Sequence, residues 1–291
     1  MTEILHLADG RTLEYLAAGP AAGTPLVLHH GTPSAAITFE PLVAAAARHG
    51  LRFVVHSRPG YAGSSPQPGR TVADAAADVA AVLDDLGAEH FVTVGWSGGG
   101  PHALACAALL PGRCLAAATV AGVAPHGAEG LDWLADMGAE NIEEFGAAEA
   151  GPEPLTAYLA AQAADLAEVQ ADKLGAAMGD LVSAVDIAAL TPEFADYMAA
   201  TLRAAVSTGV GGWRDDDLAF VTDWGFDLAA IRTPVSVWQG AQDRMVPYAH
   251  GQWLAAHLPG VKAHLEPAEG HMSLMLNAFD QIAAELAAHV V

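Results

Sequence analysis

A serine set among small residues, Gly95-Trp96-Ser97-Gly98-Gly99, follows the apolar run Phe91-Val92-Thr93-Val94 and precedes a helix-like run opening Pro101-His102-Ala103-Leu104. On so sharp a strand-to-helix turn a serine is held in a strained backbone conformation. Glycines two residues before it and two after it let neighbouring backbone pass without a clashing Cβ. The hydroxyl is then pushed out at the carboxyl end of the strand. A helix starting at Gly98 aims free N–H groups and the positive end of its dipole at the place where an oxyanion would form. Pro101 suits a first helical turn, where it forfeits no intrahelical hydrogen bond. The pattern reads as a nucleophile elbow.

A serine hydroxyl is a poor nucleophile near neutral pH, so it needs a base in hydrogen-bond reach, and the base needs an orienting carboxylate. In the chain order serine, acid, histidine, the acid belongs after a late strand and the histidine after the last one. Pro234 to Trp238 reads as such a strand, and the loop Gly240-Ala241-Gln242-Asp243 supplies Asp243; Glu266 and Glu269 are the substitute acids. Val261 to Leu265 reads as the last strand, and Glu266-Pro267-Ala268-Glu269-Gly270-His271 supplies His271. The oxyanion donors are expected to be the backbone N–H groups of Thr32, in His29-His30-Gly31-Thr32-Pro33-Ser34, and of Gly98.

These groups require a scaffold that brings strand ends together. Thr2 to Leu7 and Thr12 to Ala17 read as a hairpin turning at Asp9-Gly10. From Leu26 onward strand and helix alternate: strands Leu26 to His29, Phe53 to His56, Phe91 to Val94 and Leu115 to Val123, with helices Leu42 to His49 and Val72 to Leu86. Alternation of this kind implies an α/β fold, a mostly parallel eight-stranded sheet with helices on both faces. The alternation stops between residues 125 and 230, where helices are expected at Leu131 to Phe145, Pro154 to Leu174, Ala176 to Leu190 and Pro192 to Ser207. It resumes with helices Pro247 to Leu258 and Ser273 to His289, so residues 1–124 and 231–291 form the core and 125–230 a helical insertion.

Thirty-four acidic against twelve basic residues, a formal charge of -22, repel phosphate backbones and anionic membrane surfaces, so nucleic acid and membrane partners are not expected. Cys106 and Cys114 have neither metal-ligand nor thioredoxin-like spacing, and no His-Glu-x-x-His occurs. Neither a metal nor a cofactor is expected. The start, Met1-Thr2-Glu3-Ile4-Leu5-His6, lacks a basic region followed by a long apolar segment, which suits a soluble cytoplasmic protein. Glu140, Glu143, Glu144, Glu149 and Glu153 read as a solvated helix face, and Met245, Met272, Leu274 and Met275, which flank the late loops, as core, with the lining of an acyl pocket as the alternative.

With these residues in place the chain resembles the α/β-hydrolase superfamily over nearly its whole length. The resemblance is carried by His30-Gly31, Arg58-Pro59-Gly60-Tyr61-Ala62-Gly63-Ser64, the elbow and both late loops. It departs from the pattern at Ser57, where relatives commonly have Asp. The resemblance implies that the insertion is a lid, or cap, over the site. Ser97 in place of an elbow aspartate argues against attack on epoxides or carbon–halogen bonds. The expected activity is hydrolysis of carboxylic esters or lactones of small to medium apolar substrates through an acyl-enzyme. Alternatives are a serine aminopeptidase or amidase whose cap carboxylates bind a free amine, a perhydrolase-like enzyme, and, in another class, a triad-bearing ligand receptor or signalling protein.

Overall fold

A computed structural model describes residues 2–290. Eight strands, β1 (Glu3–His6), β2 (Thr12–Ala18), β3 (Thr24–His29), β4 (Leu51–His56), β5 (Phe91–Trp96), β6 (Cys114–Val120), β7 (Val235–Gly240) and β8 (Lys262–Glu266), make one sheet in the order β1-β2-β4-β3-β5-β6-β7-β8. β2 pairs antiparallel with β1 and β4, and every other neighbouring pair is parallel. The α/β sheet expected from the alternating sequence is therefore present.

Side chains alternate across the sheet with the period of two that a strand imposes. Val27, Val54, Phe91 and Val237 point to one face, covered by Val79 and Leu83 of α2 (Ala75–Asp85), Leu104 of α3 (Gly99–Leu109) and Leu254 of a helix at Tyr248–His257. Leu26, Leu28, Val92, Val94 and Trp238 point to the other, covered by Leu42 and Val43 of α1 (Glu40–Arg48) and by Phe279 and Ile282 of a helix at His271–Ala287. Central strands buried on both faces read as unbroken apolar runs for this reason.

Between β6 and β7 lie six α-helices: α4 (Ala139–Ala150), α5 (Pro152–Ala167), α6 (Leu174–Ala177), α7 (Ala184–Ala189), α8 (Pro192–Val206) and α9 (Gly211–Phe220). The two later helices are then α10 (Tyr248–His257) and α11 (His271–Ala287). Three expectations need correction here. Leu131 to Gly138 is turn and loop, because Asp136 takes φ +67° and Gly138 is extended, so α4 starts only at Ala139. The helix expected over 154–174 stops at Ala167 as α5, and the one expected over 176–190 is broken around Gly179, which has φ +52°, leaving only the short α6 and α7. Nothing in the reading anticipated α9, whose Gly-Gly start and three successive aspartates look like loop; tertiary burial of Trp213, Phe220 and all three aspartates overrides that propensity. Among the described residues no helix is long and apolar enough to cross a membrane.

Candidate active site

Ser97 follows β5 directly and precedes α3 by one residue, and its φ is +56°, a region that non-glycine residues rarely enter. Its N–H donates to Val120 O at 2.9 Å and its carbonyl accepts from Gly100 N–H at 2.8 Å, which locks the turn. A Cβ at Gly95 would strike the carbonyl of Gly99, and one at Gly99 would strike that of His29, so the close passage of backbone demands glycine at both positions. Trp96, 7% exposed, donates its indole N–H to His271 O at 3.3 Å and packs its ring 5.6 Å from the imidazole.

His271 opens α11 and Asp243 stands in the turn after β7, so two strand ends deliver them to one place. His271 Nδ1 donates to Asp243 Oδ2 at 2.8 Å, and both residues are buried. Asp243 Oδ1 accepts the N–H groups of Met245 (2.9 Å) and Val246 (2.8 Å), while Oδ2 also accepts Gln239 Nε2 at 3.1 Å. This web fixes the carboxylate and thereby the imidazole's tautomer. Burial disfavours the charged imidazole, but Asp243 and, more weakly, Asp186 outweigh it, and the His271 pKa is raised above the ordinary histidine value. Among the described residues His271 is hydrogen-bonded to Asp243 and not to Ser97, although both line the same cavity. Glu266 and Glu269, the substitute acids, make no hydrogen bond to His271; the Glu269 carboxylate accepts from Asn277 instead.

Thr32 and Gly98 line that cavity beside Ser97, and neither backbone N–H is bonded to another group among the described residues. The Thr32 loop is held from below by a fully buried ionic cluster that sequence reading missed. Asp216 of α9 accepts from Thr32 Oγ1 (2.9 Å), Tyr61 OH (2.9 Å) and Arg58 Nη2 (2.6 Å), and Arg70 Nη1 lies 2.9 Å away. Arg58 also donates to the carbonyls of His30 (2.6 Å) and Gly31 (3.0 Å). Burial raises the Asp216 pKa, but the two guanidinium groups override it and hold the carboxyl far below the usual range. Arg58 and Tyr61 stood in the motif quoted above; what was invisible was that their partner lies about 150 residues downstream. Ser57, the departure from the pattern, donates to Glu14 Oε1 at 2.8 Å and accepts Ala36 N–H at 2.9 Å, so it secures the segment that follows Thr32.

The cavity encloses about 220 Å³. Leu174, Met198, Leu202 and Phe220 contribute an apolar wall from the inserted segment. Met245 and Met272 also line it, the alternative weighed for them beside core packing. The acidic helix face departs from expectation: Glu140, Glu144 and Asp217 face the cavity, whereas Glu143, Glu149 and Glu153 are exposed as a solvated face should be. Trp213 Nε1 donates to Glu144 Oε1 at 2.8 Å. Burial pushes the Glu144 carboxyl up to about 7, and burial with the charges of Glu144 and Asp216 pushes Asp217 well above the carboxylate range.

Beneath the elbow lie four buried imidazoles: His29, His30, His56 and His102. His102 Nδ1 donates to Gly98 O at 2.9 Å, bracing the turn from inside. Burial, with Arg58 nearby, lowers His56 and His102 to about 3 and lowers His29 and His30 well below the usual value, so all four are neutral. Burial also lowers His250, which accepts Ala124 N–H and donates to Trp133 O, to about 4.

Comparison with known proteins agrees with this architecture. The chain is 38% identical over 121 residues to a non-heme chloroperoxidase of Streptomyces lividans, a stretch covering 40% of this chain and 44% of that protein, less than half its length. It is 29% identical over 243 residues to the pimeloyl-[acyl-carrier protein] methyl ester esterase of Chromobacterium violaceum, covering 82% of this chain and 84% of that one. Among solved structures, a hydrolase from Pseudomonas aeruginosa PA01 superposes with a TM-score of 0.71 at 22% identity over 98% of this chain and 97% of its own, a likeness of fold. The family model for the alpha/beta hydrolase fold matches residues 24–278, from β3 into α11, and the chain belongs to that family.

Proposed function

We propose that the protein hydrolyses carboxylic esters or lactones of small to medium apolar substrates, with Ser97 as nucleophile, His271 as general base and acid, and Asp243 as its orienting carboxylate. The observation that carries this reading is the buried 2.8 Å Asp243–His271 pair opening on the same cavity as a serine held at φ +56°. Ser97 Oγ attacks the ester carbonyl carbon as His271 takes its proton, and the carbonyl π electrons move onto oxygen. The N–H groups of Thr32 and Gly98 receive that oxyanion. Collapse re-forms the carbonyl and expels the alcohol, which takes the proton from His271. Water, deprotonated by the same imidazole, then attacks the acyl-enzyme and releases the acid. The apolar wall from the inserted segment suits an apolar acyl or alcohol group, and residues 125–230 act as a cap that selects it. The name of the Chromobacterium relative, a methyl ester esterase, supports the ester chemistry, and that of the chloroperoxidase fits a perhydrolase-like side reaction on the same serine.

A second reading, cleavage of substrates carrying a free amine, is favoured by one observation: Glu140, Glu144 and Asp217 face the cavity. A protonated amine would pair with these carboxylates. The test is turnover of p-nitrophenyl butyrate, a lactone panel and aminoacyl p-nitroanilides, together with fluorophosphonate labelling. Stoichiometric labelling and ester turnover, both lost in Ser97→Ala, are expected. Labelling without turnover of any panel member would favour a ligand receptor, and full turnover by Ser97→Ala would refute the nucleophile.

A further inference from the structure

Asp186 lies in α7, inside the inserted segment, and is fully buried. Its Oδ1 accepts the N–H groups of Met272 (2.8 Å) and Ser273 (3.0 Å), the second and third residues of α11, whose first residue is His271. Its Oδ2 accepts the Ser183 hydroxyl at 2.8 Å. The opening N–H groups of a helix lack intrahelical acceptors and are normally met by a residue just upstream. Here the acceptor arrives from a side chain 86 residues away, in another part of the fold. Position 270 explains how it fits: a Cβ on Gly270 would strike the Asp186 carboxylate, so only a bare backbone lets the two meet. The same turn is closed by Gly270 N–H donating to Ser273 Oγ at 2.8 Å.

We propose that Asp186 is a positioning residue for His271: from the inserted segment it fixes the first turn of α11 and with it the direction of the imidazole, so that alignment of the base depends on the docking of that segment. The proposal rests on the reading of His271 as the base. Two charged groups bear on the imidazole, Asp243 from the turn after β7 and Asp186 from α7, while the Trp96 ring that packs against it is neutral. Each carboxylate favours the imidazolium that forms as Ser97 attacks.

Two variants and two readouts test this. Asp186→Ala leaves the α11 N–H groups without their acceptor and is expected to lower kcat about 10- to 100-fold with KM nearly unchanged, the cost of misaligning a catalytic group by a fraction of its reach. Asp186→Asn keeps an acceptor oxygen but not the charge. It is expected to recover most of kcat while the acid limb of kcat/KM and the His271 titration, followed by histidine-labelled NMR, both move to lower pH. A merely structural role would leave both titrations in place. Wild-type kcat in Asp186→Ala, or unmoved His271 resonances in Asp186→Asn, overturns the proposal; should the alanine variant not fold, the asparagine variant decides alone. Turnover that survives His271→Ala would sink the base reading, and the NMR titration would still report whether Asp186 governs the imidazole.

Discussion

Replacing Asp216 by asparagine perturbs the junction between α9 and the loop that carries Thr32. The carboxylate is fully buried and receives Arg58, Tyr61 and Thr32 while pairing with Arg70, and the two guanidinium groups are themselves only 1% and 3% exposed. Asparagine preserves the shape but removes the charge, leaving two buried cations without an anion. Removing one partner of a buried pair costs about 3–5 kcal/mol, mostly because the survivor stays uncompensated. Domains of 150–250 residues lose about 2–4 °C of Tm per kcal/mol, so a drop of about 6–10 °C is expected for a chain of this larger size. Calorimetry and urea unfolding at pH 7 measure it. Because Thr32 Oγ1 and the carbonyls of His30 and Gly31 share the network, ester turnover should fall at temperatures where the variant is still folded. An Asp216→Asn protein with Tm within about 2 °C of the parent and unchanged kcat/KM would refute the idea that this cluster braces the site.

Two further outcomes are expected. Only a neutral imidazole accepts the serine proton, and the His271 pKa is raised, so kcat/KM should climb with pH through a limb lying above the ordinary histidine value of about 6.5; a flat profile across about pH 5 to 8 with chemistry rate-limiting would contradict this. Glu144, raised to about 7, destabilises the fold once it ionises. Glu144→Gln should therefore stabilise the protein by about 1–3 kcal/mol at pH 8 and by nothing below about pH 4.5, where both forms are neutral; a stability difference that does not change between the two pH values would count against burial raising this carboxyl.

The parts of this molecule that were legible in its sequence are those governed by local rules. β5, the Ser97 turn and α3 follow from apolar periodicity, paired glycines and a tolerated Pro101, and the late loops follow from strand ends in a fixed chain order. The inserted segment was legible only as helical composition. Its breaks at Asp136 and Gly179 depend on backbone angles that alanine-rich text does not advertise. Its α9 forms because Asp216 finds cations from Arg58 and Arg70, residues distant in the chain, so no window of sequence contains the cause. Glu140 and Glu144 were misjudged for a related reason: α4 also carries Glu143 and Glu149 outward, and charge alone does not say which side of a helix meets a cavity.

The buried imidazoles have a consequence for the whole protein. His29, His30, His56, His102 and His250 bind protons only when the chain unfolds, because folding depresses every one of them. Their contribution to stability is complete above about pH 6.5 and drains away below it, whereas Glu144 and Asp217 act in the opposite sense. Five depressed imidazoles against two raised carboxyl groups leave the unfolded chain the stronger proton binder in mild acid, so stability falls as pH drops below about 6.5. Acidity thus acts on this molecule twice: the proposed base His271 takes up its proton first, and further acidification then withdraws support from the scaffold.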